Sequence, residues 1–345
     1  VVDDDSTDRT AEIARSFATR DPQDGTTVDG KGIASEACPE RSRRVPKSPH
    51  SDARGFSPRV TVIPAGPLPD KWTGKNNAMY AGAKVAKGKW LLFTDADTVH
   101  QPGSLARAVA EAEQHGAALL SYSPAQEAHG FWEKAVMPVI FAELAATYPP
   151  QAVNDPASPI AAANGQYLMI SREAYNAVGG HTKIADDLLE DVAIARLVKR
   201  SGRKIFFRYG PDAVRTRMYR SFAQLREGWT KNLALIFPRP RTLALLRMAE
   251  VLLIVGNLST AIWAKFSGRP NLAVQTALLT IILSGWFAMR IRKAHFSASS
   301  SLLAILGLPL FSYLLVRSVK SRTSCGVRWK GRMYDPGVTS ESLAE

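Results

Sequence analysis

Cysteine is nearly absent: Cys38 and Cys325 are the two in 345 residues, far apart and in unrelated contexts. That excludes a disulfide framework and a cysteine-based metal site, and it leaves a reducing, cytoplasmic setting as the default. Histidine is also thin, six in all, and none has a partner at ligand spacing. His181, after Gly179-Gly180, is the one that could approach the other motifs, with a structural role as the alternative. Acidic residues are outnumbered, 31 against 44 Lys plus Arg, for a formal charge of +13. Such a surplus suits nucleic acid, an anionic bilayer surface or a phosphorylated substrate. The basic residues are spread over the 21–59 segment and the flanks of the C-terminal apolar runs, without an aromatic-rich basic patch, which argues against nucleic acid.

Apolar residues are not scarce. At 46% of the chain they suffice for two modest domains or for one domain with a membrane appendage. Val1-Val2-Asp3 reads as the end of a strand running into an acidic loop, so an upstream segment is expected. A short helix is expected over 6–20, and strand, acidic turn and helix together start an α/β unit. Residues 21–59 are rich in Pro, Gly, Ser and Arg with no apolar period, the composition of a disordered insertion. Order resumes with a strand over 60–63 and a helix over 76–86. The apolar run Lys89–Thr94 fits a central parallel strand that ends on Asp95-Ala96-Asp97. A helix over 103–115, strands over 117–122 and 166–171, the apolar Phe131–Tyr148 segment and a helix over 188–200 complete a domain of mixed α/β character.

From about Thr242 the composition changes. Leu243–Trp263, Leu272–Met289 and Leu302–Val316 are long apolar stretches separated by basic clusters, hence membrane candidates. The first carries Glu250 and Asn257, and the third, with Pro309, is short for a full span, so one of them could be re-entrant or interfacial. With three true spans the basic tail would face away from the N-terminal domain, against the positive-inside rule. The expected division is 1–237 for the α/β domain, 238–320 for the membrane region and 321–345 for a basic cytoplasmic tail.

Asp95-Ala96-Asp97 sets two carboxylates on the same side of an extended segment at a strand end. Mg²⁺ or Mn²⁺ takes oxygen ligands and commonly binds through one or two carboxylates plus substrate phosphates, enough to clamp a diphosphate. A solvated loop pair is the alternative. Asp3-Asp4-Asp5-Ser6-Thr7-Asp8 is denser in acid than a turn needs, with helix capping as its plainer explanation. Lys75, after a glycine and ahead of a helix, could meet a phosphate or simply be solvated. Glu190 and Asp191 open a helix and could offer a general base, although helix-start acids are common for dipole reasons. Gln224, Arg226 and Trp229 add a cation and an aromatic just before the membrane part, which a snorkelling interfacial pair would also explain.

Taken in order, VVDDDSTDRT, GKNNAMYAGAKVAKGKWLLFTDAD, NGQYLMISREAYNAVGGH, LLEDVAIARLVKRSG and QLREGW resemble the family-2 glycosyltransferases of GT-A fold. The resemblance runs from Val1 to about Phe237, apart from the insertion. PLPDKWTGKNNA and VRWKGRMY are most similar to the hopanoid-associated and carotenoid-type lipid enzymes. The resemblance implies a nucleotide-diphospho-sugar transferase domain, Rossmann-like and α/β, truncated at its N-terminus and followed by C-terminal transmembrane helices. It implies Asp3 or Asp4 near the nucleotide base, Lys75 near the nucleotide, and Asp95 and Asp97 around ribose, diphosphate and a Mg²⁺ or Mn²⁺ ion. Asp191 would be the base of an inverting transfer from a UDP-sugar to a lipid or isoprenoid acceptor, with Glu190, Gln224, Arg226 and Trp229 on the acceptor or diphosphate side. Arg226 stands two rather than three positions after Gln224, a departure from Q-x-x-R-W that favours single-sugar transfer over a processive synthase. A multi-pass protein of the inner membrane with a cytoplasmic catalytic domain is expected; a catalytically weak membrane scaffold or sugar-nucleotide binder is the competing class.

Overall fold

The structure, a computed structural model, describes residues 1–4, 10–18, 60–324, 327–329 and 332–334. Asp5 to Asp8 and the expected insertion at 21–59 lie outside the described residues. In chain order the elements are β1 (Val2–Asp3), α1 (Thr10–Ala18), β2 (Ile63–Pro64), α2 (Gly74–Val85), β3 (Trp90–Phe93), β4 (Thr98–His100), α3 (Ser104–His115), β5 (Leu119–Ser123), β6 (Ala125–Gln126), α4 (Phe131–Thr147) and α5 (Pro150–Asn154). There follow β7 (Leu168–Ser171), α6 (Arg172–Ala177), a 3-10 turn (Gly180–Ile184), α7 (Glu190–Arg200), β8 (Ile205–Tyr209), β9 (Val214–Thr216), α8 (Phe222–Ile236), α9 (Pro240–Phe266), α10 (Pro270–Arg292), α11 (Ala298–Ser324), β10 (Val327–Trp329) and β11 (Arg332–Tyr334).

The sheet that positions the site has the order β3-β7-β5-β8. Its middle strands β7 and β5 are antiparallel, Leu119 facing Ile170, while β5 and β8 run parallel. The run Lys89–Thr94 is therefore not a central parallel strand: β3 stands at one end of this sheet, antiparallel to β7 with Leu91 opposite Ile170. An apolar run does not report the direction of its partner, and in this end strand Leu91 alone is buried. A smaller sheet, β4-β9-β6, lies beyond the turn that follows β3, and β1 pairs in parallel with β2.

Leu119, Leu168, Ile170, Ile194 and Val198 form one apolar core beneath the sheet. A second core joins α4 and α8 to the three long helices through Val136, Ile140, Leu225, Leu233, Ile254, Ile291, Phe311 and Leu315. α9, α10 and the 298–322 part of α11 are each long and apolar enough to cross a membrane, which associates the protein with one.

Candidate active site

α2 begins beside the loop that leads to α7, and the local chemistry explains why. Thr73 caps the helix with its hydroxyl, which accepts the Asn76 N–H, while the Thr73 N–H donates to Ala185 O at 2.8 Å. The buried Asn76 amide then donates to three carbonyls, of Ile184 (2.6 Å), Ala185 (3.0 Å) and Asp187 (3.0 Å). This clamp sets the residue between Thr73 and Asn76 in the chain's first turn, Lys75, against the start of α7. Its ammonium lies 2.6 Å from Glu190 Oε1 and 2.9 Å from Asp95 Oδ1.

Asp191 sits alongside. Its two oxygens accept the N–H groups of Gly165 and Val192, each at 2.8 Å. A Cβ at Gly165 would stand 3.1 Å from Glu190 Oε1 and 3.3 Å from Lys75 Nζ, so any larger residue there would push on the charged cluster. Burial opposes the charge on Lys75, but Glu190, Asp95 and Asp191 outweigh it and hold the ammonium above the usual lysine range. Burial also works against the Glu190 carboxylate, yet contact with Lys75 keeps it below the usual carboxylate range. For Asp191 burial and the Glu190 charge outweigh Lys75 and the two N–H donors and push it up to about 6. A carboxylate in that range is ionised at neutral pH and basic enough to take a proton there.

These groups line a cavity of about 780 Å³. Lys231 of α8 joins them; burial lowers its pKa, against the pull of Glu190 and Asp191. The apolar part of the wall is built by Phe141, Leu144 and Ala145 of α4, Met218, and Trp229 and Ile236 of α8, with Gln126, Gln151, Asn164, Gln166 and Asn232 among its polar members. Arg292, Lys293, Ala294 and His295, from the connection between α10 and α11, complete the lining, with His295 stacked on Tyr209 at 4.3 Å. Two buried wall atoms, Asn232 Oδ1 and Gln126 Oε1, have no hydrogen-bond partner, and unsatisfied atoms of this kind in a polar cavity are candidate ligand contacts.

Asp95, Lys75, Glu190, Asp191 and Trp229 thus line one cavity. Trp229 is nearly fully buried, and its indole N–H points at Met137 Sδ at 3.4 Å. Asp97 is placed apart. Ala96 and Asp97 form a turn rather than an extended segment, pinned by the Thr98 hydroxyl on Asp95 O (2.6 Å) and the Thr216 hydroxyl on Asp97 O (3.0 Å). Asp97 is exposed and outside the cavity lining. Among the described residues no group of three or more His, Cys, Asp or Glu side chains comes together to hold a metal, so a bound cation would need ligands from substrate. Asp3 is half-buried at the end of β1 and Asp4 is exposed, neither lining the cavity; Gln224 and Arg226 lie on the exposed face of α8. Gln224 caps the turn before α8 by accepting the Arg220 N–H, and Arg226 stands 5.9 Å over the Phe222 ring. His181 is buried behind Glu190, bonded to the Tyr175 hydroxyl at 2.8 Å, with burial lowering its pKa to about 4.

Mixed α/β sheets followed by three long apolar helices are the architecture of a GT-A glycosyltransferase with a membrane region, and a transferase is the class of enzyme to which this chain belongs. The family model described as glycosyl transferase family 21 matches residues 69–339, and the chain is a member of that family. It is similar to the 4,4'-diaponeurosporenoate glycosyltransferase of Staphylococcus aureus strain MRSA252, 26% identical over 278 residues, 76% of this chain and 72% of that one. With the protein of the same name from strain bovine RF122 / ET3-1 it shares 25% identity over 348 residues, 97% of this chain and 80% of the relative. The resemblance to carotenoid-type lipid glycosyltransferases is borne out, and the family model that matches is numbered 21.

Proposed function

We propose that this enzyme transfers one sugar from a nucleotide diphosphate-sugar, a UDP-sugar, to a carotenoid-type isoprenoid acceptor at the cytoplasmic membrane face, with inversion. The observation that carries the reading is the cavity's mixed lining: the ionic groups around Asp191 share it with Phe141, Leu144, Ala145 and Ile236 of α4 and α8. An amphiphilic acceptor fits such a space, with its reacting group at Asp191 and its apolar chain along α4 and α8. The relatives' names support an acceptor of this type.

In this reading the acceptor presents a hydroxyl, and Asp191 removes its proton as the oxygen attacks the anomeric carbon from the face opposite the leaving diphosphate. Lys75 and Lys231 stabilise the negative charge that builds on that diphosphate. Asn232 and Gln126 are placed to accept hydrogen bonds from sugar hydroxyls. The Lys75 ammonium is already paired with Glu190 and Asp95, which leaves little of its charge for a bare diphosphate. Mg²⁺ or Mn²⁺ would be held by Asp95 and the phosphates, joined by Asp97 once its exposed side chain turns toward them, and would supply the missing positive charge.

The test is UDP release by membranes carrying the protein, given a panel of UDP-sugars and a carotenoid-containing lipid extract. Release that depends on both sugar and lipid is expected. Release with sugar alone, unchanged by lipid, would remove the acceptor assignment; donor binding without any turnover would favour a scaffold.

A further inference from the structure

The three long helices differ in what surrounds them. Only 6% of the most apolar stretch of α10 is buried and 17% of that of α9, against 44% for α11. α9 and α10 pack on each other as an antiparallel hairpin, rooted by a closed ring of charges in which Arg247 and Arg290 each contact both Glu143 and Glu250. From Arg290 back to Pro270, α10 spans ~30 Å at about 1.5 Å per residue, the thickness of a hydrocarbon core of about 30 Å. At the turn of the hairpin Arg269 stacks over Trp263 at 5.1 Å, an aromatic and cation pairing suited to a membrane interface.

α11 packs on α4 and α8, both of which build the active-site cavity, and on α9, where its Ser312 hydroxyl donates to Ala244 O at 3.0 Å. Just before its start His295 stacks on Tyr209, and Phe296 meets Phe141 at 5.8 Å. In its middle Gly307 crosses α4 so closely that a Cβ there would collide with the Ala135 carbonyl. Near its end the Ser318 hydroxyl accepts the Ala234 N–H of α8 at 2.9 Å, and the Arg322 guanidinium lies 3.4 Å from Ala234 O. Lys231 of the cavity is less than one turn from Ala234. A helix whose two ends both dock on the catalytic unit cannot carry the chain across a bilayer without taking that unit into the hydrocarbon. What α11 leaves uncovered is a stripe at helical spacing: Leu302, Leu306, Pro309, Tyr313 and Val316, followed by the exposed Arg317 and Lys320.

We infer that α9 and α10 cross the membrane as a hairpin while α11 lies in the plane of the membrane surface, its 302–316 stripe against lipid. Arg317 and Lys320 meet anionic headgroups at the end of that stripe. β10, which follows α11, then lies on the catalytic side, against α8. Basic residues agree: Arg239, Arg241, Arg292, Lys293, Lys320 and Arg322 fall on that side, with Lys265 and Arg269 at the far turn. The conflict that three spans create with the positive-inside rule disappears.

Two measurements on the full chain in sealed membrane vesicles test this, in a Cys38→Ser, Cys325→Ser background. First, Lys87→Cys on the catalytic surface, Ser267→Cys at the hairpin turn and Ser340→Cys in the tail are labelled with a membrane-impermeant maleimide. Positions 87 and 340 are expected to react from one side and 267 from the other; 340 reacting together with 267 overturns the inference, as does 267 reacting together with 87. Second, spin labels at Leu302→Cys, Leu306→Cys, Tyr313→Cys and Val316→Cys report depth by their accessibility to oxygen against a water-soluble relaxer. An in-plane helix gives one shallow depth at all four. A spanning helix gives depths that change over ~21 Å, fourteen residues at about 1.5 Å each, and that profile sinks the inference, as would four labels fully open to the water-soluble relaxer.

Discussion

The Glu190 carboxylate is buried and lies 2.6 Å from the Lys75 ammonium, so the charge of each is the condition for the other. Lys75→Ala strands Glu190 in a low-dielectric wall. A loss of about 1–3 kcal/mol is expected, below the full penalty for breaking a dry ion pair because the Lys75 side chain is 41% exposed. Denaturant titration checks it. Lys75→Met combined with Glu190→Gln is expected to recover most of the stability and none of the activity, which separates the structural part of the pair from its part in handling the diphosphate.

Asp191→Asn is expected to lower turnover by about 10²–10⁴-fold, the usual worth of a general base, while donor binding measured by calorimetry stays within a few-fold. Loss of both together would return Asp191 to a structural role.

The pH dependence has opposite signs for activity and stability. Asp191 acts as a base only when ionised, so kcat/KM is expected to fall as pH drops through about 6. Its folded pKa is raised above the 3.8 of a free aspartate, so protons favour the native state, and its contribution to stability is lost as pH rises from about 4 through about 6. The melting temperature of Asp191→Asn, relative to wild type, is therefore expected to shift in the variant's favour over that window. Asp187, which burial and Asp186 also push up to about 6, is the control: Asp187→Asn should leave the acid limb of the rate profile in place.

Chelator is expected to abolish UDP release, with Mn²⁺ or Mg²⁺ restoring it. Asp97→Ala should weaken metal-dependent nucleotide binding by an order of magnitude or more, whereas binding that ignores both chelator and this substitution would take Asp97 and the metal out of the mechanism.

The Lys199 ammonium reaches three carbonyls, of Ala152 (3.1 Å), Val153 (2.8 Å) and Ile160, and so ties the end of α5 to the loop leading to Gly165. Lys199→Met leaves those carbonyls short of donors. A cost of about 1–3 kcal/mol is expected, read as a lower melting temperature, with a raised acceptor KM because the tied segment includes cavity wall at Gln151 and Ala162.

The sequence made Lys75, Asp95 and Asp191 legible because each stands beside an element boundary with a local chemical signature: a glycine before a helix, an apolar strand end, a helix start. Three long apolar helices were legible from composition. Lys231 was not, since a lysine two residues after Trp229 carries no signature until α8 is laid against Glu190. The Arg292 to His295 edge of the cavity comes from a connection about a hundred residues downstream, and local pattern says nothing of such a meeting. Asn76 read as one more helix residue; its three carbonyl partners belong to the loop before α7. The direction of β3 was missed because apolarity encodes burial and not orientation, and Glu250 looked like an interruption in an apolar run because its partners Arg247 and Arg290 include one forty residues away.

Glu143, Glu250, Arg247 and Arg290 together carry no net charge at the root of the hairpin. Each residue has two opposite neighbours, so losing any one leaves an odd charge that neither lipid nor core can dissolve. The four positions are consequently free to drift only in step: a related chain that exchanges one acid for an apolar residue is expected to have surrendered one arginine too, and inversion of all four signs would keep the hairpin seated where a single swap would not.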